Sequence, residues 1–174
     1  MNKKIITIGL AVIMALQLTV LASEYLGAMY PLWTGEEIRL KTVPVDPRSL
    51  FRGNYARLNY GISTIETDEL PGVKELRNGE IVYVKIKPGD DGLYVFDQAG
   101  LEKPGSGPFI RGRINTRSTK HFDVRYGIEA YFAPKEKALA LEKDLRHGAV
   151  AIIMLARNGR ATLKEIVIDQ KKVN

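Results

Sequence analysis

The chain has 174 residues, 45% of them hydrophobic and 26% charged, with 26 Lys and Arg against 20 Asp and Glu and no cysteine. That length suits one globular domain, and the composition excludes a largely disordered chain. Without Cys there is no disulfide, thiolate nucleophile or zinc–thiolate site, and His121 and His147 alone cannot build a multi-histidine metal centre, so neither metal nor cofactor is expected.

The hydrophobic residues are unevenly spread. Ile5 to Ala22 is a run of 18 residues without a charge. As a helix it reaches about 27 Å at roughly 1.5 Å per residue, close to the hydrocarbon thickness of a bilayer and longer than an ordinary signal-peptide core. Lys3 and Lys4 precede it, and Glu24, Glu36 and Glu37 come before the next basic residue, Arg39. The asymmetry predicts a single-pass anchor over residues 1–23 with its N-terminus in the cytoplasm. A juxtamembrane linker over 24–34, with Tyr25, Tyr30 and Trp33 near the head groups, then leads to an extracytoplasmic domain over 35–174. The alternative is a secreted protein cleaved after Ala22. Lys3 and Lys4 supply two of the six surplus positive charges and the remaining +4 is interspersed with acids, so no nucleic-acid face is expected.

Beyond Thr34 the dominant period is two. Strands are predicted over Glu37–Val45, Tyr55–Ile62, Glu80–Lys87, Leu93–Phe96, Phe109–Asn115, Phe122–Phe132, Ala149–Ala156 and Ala161–Ile168. Asn158-Gly159 predicts a two-residue hairpin with positive φ at both central positions. Gly100 to Pro108 reads as a loop. Pro134 to Arg146 reads as one helix, opened by Pro134 and stopped by Gly148. The expected fold is mainly β, an antiparallel barrel or sandwich of about eight strands with one covering helix, beside the N-terminal transmembrane helix.

The stretch Val45-Asp46-Pro47-Arg48-Ser49-Leu50-Phe51-Arg52-Gly53-Asn54-Tyr55-Ala56-Arg57-Leu58-Asn59-Tyr60 resembles the signature of the GDYXXLXY family of bacterial membrane-anchored proteins. Gly53, Tyr55, Leu58 and Tyr60 match the motif that names the family, and Asn54 stands where it has Asp. Tyr126-Gly127-Ile128-Glu129-Ala130-Tyr131-Phe132, followed by Pro134, resembles a second recurrent block, and the likeness runs from about Gly35 to Asp169. The resemblance implies a membrane helix and a compact β-rich exterior domain, often encoded beside polytopic membrane proteins. It implies no reaction.

Alternation places Tyr55, Arg57 and Asn59 on one strand face and Arg125, Glu129 and Tyr131 on another. If the two strands are neighbours, these residues make a polar and aromatic concavity in which guanidinium groups suit carboxylate or phosphate. The candidate ligand- or partner-binding residues are Arg52, Asn54, Tyr55, Arg57, Glu129 and Tyr131. A structural part falls to Asp46, Pro47, Arg48 and Gly53 in a turn, to Leu58 and Tyr60 in the core, and to Tyr126 and Gly127. Ser106, Asp90-Asp91 and the histidines lack the surroundings that nucleophile, calcium or zinc chemistry requires. The favoured function is an accessory or binding module for a polytopic membrane protein. Alternatives are an envelope hydrolase or transferase with Glu129 as acid or base, partnered by Asp46 or Asp123, and a ligand sensor signalling through a membrane partner.

Overall fold

Alternating burial sets the faces of the strands. In the structure, a computed structural model describing residues 3–43, 55–70, 76–117, 120–132 and 149–168, a helix α1 (Lys3–Thr34) is followed by β1 (Glu36–Val43), β2 (Tyr55–Arg57), β3 (Asn59–Tyr60) and β4 (Thr64–Glu66). Next come β5 (Ile81–Pro88), β6 (Tyr94–Gly100), β7 (Phe109–Arg117) and β8 (His121–Arg125). The last described strands are β9 (Ala130–Phe132), β10 (Ala149–Leu155) and β11 (Ala161–Ile168). In β10 every second residue is buried, so Ala149, Ala151, Ile153 and Leu155 face the core while Val150, Ile152 and Met154 face outward.

The main sheet runs β11-β10-β1-β6-β5-β7-β8-β4, with β3 attached to β1 and a separate β2–β9 ribbon. The mainly β fold expected from alternation is what forms, and its eight-strand path curls into a half-barrel. All pairings are antiparallel except β1 with β6, which run parallel at Leu40 and Tyr94. Inside lie Ile38, Leu40, Val84, Ile110, Phe122 and Ile153, each nearly inaccessible to solvent. Each such side chain contributes about 1.5–3 kcal/mol of transfer free energy, so the concave face of the sheet carries most of the stability. Thr42, buried among them, donates its hydroxyl to the Ala149 carbonyl at 2.7 Å and accepts from the Ala149 N–H at 3.0 Å, tying β1 to the start of β10.

Several elements differ from the sequence expectation. The strand expected over 55–62 is two strands: the Leu58 N–H still bonds the Glu129 carbonyl at 2.8 Å, in register with the β2–β9 ladder, and from Asn59 the chain pairs with β1 instead. The strand expected over 122–132 is likewise broken, at Gly127, whose φ of 84° no strand tolerates. Thr64–Glu66 forms an unanticipated strand against β8. The Asn158-Gly159 turn is not a two-residue loop. Leu155 pairs with Ala161, the Gly159 N–H reaches the Ala156 carbonyl, the Ala156 N–H reaches the Arg160 carbonyl, and only Gly159 has positive φ. This is the longer connection in which an ordinary turn is followed by a left-handed glycine, and Asn158 instead accepts the Arg160 N–H on its side chain. The helix expected over 134–146 and the motif residues Asp46, Pro47, Arg48, Arg52, Gly53 and Asn54 lie outside the described residues.

Helix α1 is unbroken for 32 residues and includes the segment read as a juxtamembrane linker. Its upper part docks on the hairpin of β10 and β11, where Arg160 Nη1 donates to the Gly27 carbonyl at 3.4 Å and Thr162 Oγ1 to that of Ala28 at 3.5 Å. The Gly35 N–H then closes the last turn on the Pro31 carbonyl at 2.8 Å, and the chain enters β1 directly.

Candidate functional site

The two motif blocks meet in space. β2 pairs antiparallel with β9, with Tyr55 opposite Phe132, Ala56 opposite Tyr131 and Arg57 opposite Ala130. The Tyr60 hydroxyl donates to the Ile128 carbonyl, and the Tyr126 hydroxyl donates to the Ile62 carbonyl, both at 2.5 Å. Ser63, also buried, accepts the Tyr60 N–H on its hydroxyl at 3.3 Å, and its own carbonyl accepts the Val124 N–H at 2.7 Å. Burial first, and the nearby Glu129 charge second, raise both phenol pKa values far above the ordinary range, so both are neutral donors.

Glu129 braces the break between β8 and β9. Its Oε1 accepts the Tyr126 N–H at 2.5 Å and its Oε2 the Gly127 N–H at 3.0 Å, while its backbone carbonyl accepts from Leu58. Those bonds satisfy the backbone where Gly127 takes the chain out of the ladder.

Around this brace the surface is concave on two sides. A cleft of about 480 Å³ is bordered by Arg57, Asn59, Ser63, Asp123, Arg125 and Glu129. A second, of about 590 Å³, is bordered by Gly79, Arg111, Arg113, Arg125, Tyr126 and Glu129. Asp123 accepts the Thr64 hydroxyl at 3.0 Å. Arg113 donates from Nη1 to the Gly79 carbonyl at 2.7 Å. Among the described residues, no carboxylate lies within ion-pair distance of Arg57, Arg111, Arg113 or Arg125.

The chain matches the sequence model of the GDYXXLXY protein family over residues 17–166. It belongs to the GDYXXLXY family. Comparison with curated proteins and with solved structures finds no significant match. In this GDYXXLXY protein the signature residues Leu58 and Tyr60 are core, at 2% and 1% exposure, and Tyr60 ties one block to the other. Arg57 and Glu129 reach a common cleft, whereas Tyr131, across the ribbon from Ala56, packs against the core. Tyr55 lies in β2 opposite Phe132.

Arg111 and Arg113 escape a reading of the motif blocks because they come from Phe109–Arg117, a strand outside both. Their signal is the Arg-Gly-Arg alternation, which puts both guanidinium groups on one face. Gly112 faces the other way, where a Cβ would sit 2.2 Å from Val124 Cγ1 and 2.9 Å from the Tyr126 ring, so glycine is what lets that tyrosine cross β7.

The family and the N-terminal helix together fit a membrane-anchored domain. The best 18-residue window of α1 has a mean hydropathy of 2.4 and none of it is buried, which by length and composition suits a membrane anchor or a signal sequence.

Proposed function

We propose that this protein is a single-pass, extracytoplasmic accessory and binding module whose partner is a polytopic membrane protein. The observation that carries the reading is the state of Glu129. The acid that a hydrolytic mechanism would need has both carboxylate oxygens committed to backbone N–H groups, and the groups left open beside it are guanidiniums. Such a surface recognises anionic groups and has no free acid–base pair.

The anchor supports the same reading. At roughly 100° per residue, Ala11, Ala15, Leu26 and Trp33 fall within about 60° of one another around α1. Leu26 and Trp33 are 52% and 64% exposed, on the side turned away from the docked domain. A small-residue face inside a bilayer lets another helix approach closely, and an apolar continuation outside it extends that contact. The basic N-terminal flank, Lys3 and Lys4, favours an N-terminus in the cytoplasm and a domain outside it.

A hydrolase reading draws on Asp123 and Glu129 bordering one cleft. It requires Glu129 to leave its backbone partners, and Glu129→Gln would then abolish turnover of an envelope substrate in a protein that still folds. Photo-crosslinking in intact cells from positions 33, 57 and 125 tests the accessory reading. A covalent adduct with one polytopic membrane protein is the expected result. Adducts confined to small envelope molecules would overturn it in favour of a solute-binding domain.

A further inference from the structure

The outward face of β7 and β8 holds an arrangement that the fold does not need. Arg113 stands directly opposite Arg125 in the β7–β8 ladder, and Arg111, two residues from Arg113 on the same face, stands opposite Tyr83 of β5. Like charges directly opposite across a ladder destabilise it, and sheets ordinarily set an acid there. Here the partners of β7 at these positions are Ile81, Tyr83 and Arg125. Arg125 borders both clefts, sharing the first with Arg57 and the second with Arg111 and Arg113. The two carboxylates on the rim, Asp123 and Glu129, are turned to Thr64 and to the Tyr126 and Gly127 N–H groups. In the second cleft three guanidinium groups, Arg111, Arg113 and Arg125, stand against one carboxylate, Glu129, a local surplus of two positive charges.

We propose that Arg111, Arg113 and Arg125 form a binding site for a dianionic phosphate group, either inorganic phosphate or the terminal group of a phosphate monoester. The proposal rests on the reading of these clefts as the binding face and names what the face holds. A dianion balances the surplus, its oxygens accept from guanidinium forks on more than one side, and it turns the opposed Arg113–Arg125 pair from a repulsion into a shared clamp. The Arg113 bond to the Gly79 carbonyl fixes one edge of that fork before any ligand arrives. A phosphodiester head group carries one charge and leaves half of the surplus unmatched.

The test is calorimetric titration of the full chain in detergent with inorganic phosphate and with glycerol phosphate, at ionic strength held constant with chloride, because screening alone relaxes exposed like charges. Saturable binding of both is expected, weakened about tenfold or more in Arg125→Gln and in Arg113→Gln, with Arg125→Lys between them and wild type. Melting provides the fold control. Without phosphate, Arg125→Gln should melt no lower than wild type, and added phosphate should raise the wild-type melting temperature while leaving that of the variant in place. Nanodiscs containing phosphatidylglycerol distinguish the lipid source, and binding to them in preference to glycerol phosphate would overturn the assignment to a monoester. Absence of saturable phosphate binding, equal binding by both Gln variants and wild type, or a preference for succinate over phosphate would overturn the site itself. If phosphate binding fails while cross-linking from positions 57 and 125 still captures a polytopic protein, the ligand falls and the accessory role stands.

Discussion

Tyr60 and Tyr126 hold each other's segments by crossed hydrogen bonds, each hydroxyl donating to the carbonyl two residues beyond the other tyrosine, at Ile128 and Ile62. One bond leaves the first motif block and the other leaves the second, so the pair stitches the place where both strands break. Replacing either tyrosine by Phe keeps the ring packing and leaves one buried carbonyl without its donor. Each variant should lose about 1–3 kcal/mol in urea unfolding. The double variant should depart from the sum of the singles, because the two bonds brace the same pair of segments. Additive losses would show two independent anchors instead of one clasp.

The same two hydroxyls set the alkaline limit of stability. Burial, with the Glu129 charge in second place, raises both folded-state pKa values above the ordinary phenol value of about 10 that applies in the unfolded chain. For a phenol, a raised folded value means that the stabilisation is fully present below the unfolded pKa. Above about pH 10 the unfolded state releases protons that the native state keeps, and stability falls as pH rises. In a titration followed by phenolate absorbance, Tyr60 and Tyr126 should ionise only with unfolding. The Tyr60→Phe and Tyr126→Phe variants, less stable at neutral pH, should show a shallower alkaline decline.

Glu129 gives a prediction that separates bracing from chemistry. Glu129→Ala removes the acceptors of the Tyr126 and Gly127 N–H groups and should cost about 2–4 kcal/mol. Glu129→Gln keeps one amide oxygen and should cost about half as much. The equilibrium unfolding midpoints of the two variants check the order, and a Gln variant as unstable as Ala would mean that both carboxylate oxygens are needed.

How much of this was legible in the residues depends on range. Ile38-Arg39-Leu40-Lys41 in β1 and Val82-Tyr83-Val84-Lys85 in β5 declare their inner faces by alternation alone, and the structure buries those faces. Alternation cannot show that the chain changes ladders after Leu58, since the period continues through it while the pairing passes from β9 to β1, segments distant in sequence. The same holds for the second block, where Tyr126 and Ile128 keep the inward period on either side of Gly127 and are both buried. Arg57, Arg125 and Glu129 were recognisable as a possible concavity from composition and period. Arg111 and Arg113 were not, because their part depends on β7 lying between β5 and β8, a property of topology alone.

Gly112 makes a steric prediction. Gly112→Ala would place a methyl group 2.2 Å from Val124 Cγ1 and against the Tyr126 ring. Both neighbours are buried, and the Tyr126 hydroxyl is bonded to Ile62, so neither yields without loss. Overpacking of this kind should cost about 1–3 kcal/mol, seen as a lower unfolding midpoint. In Gly112→Ala/Tyr126→Phe the two losses should not add, because the displaced ring has already given up its hydrogen bond.

The last prediction concerns what becomes of residues 1–22. Cleavage after Ala22 would fall inside a helix that continues without a break to Thr34, and proteases take their substrates extended, so an unbroken α1 protects the bond. Five residues further on, Gly27 and Ala28 receive Arg160 and Thr162 and hold that stretch of α1 to the domain. Intact mass spectrometry of the chain extracted from membranes should therefore find the full 19.4 kDa species. Breaking α1 ahead of the site should change the outcome, so Gln17→Pro/Val20→Ala, which ends the helix before Ala22 and places a small residue at the minus-three position, should yield a shortened, soluble product. A wild-type chain already beginning at Ser23 would show that the helix serves only as an export signal.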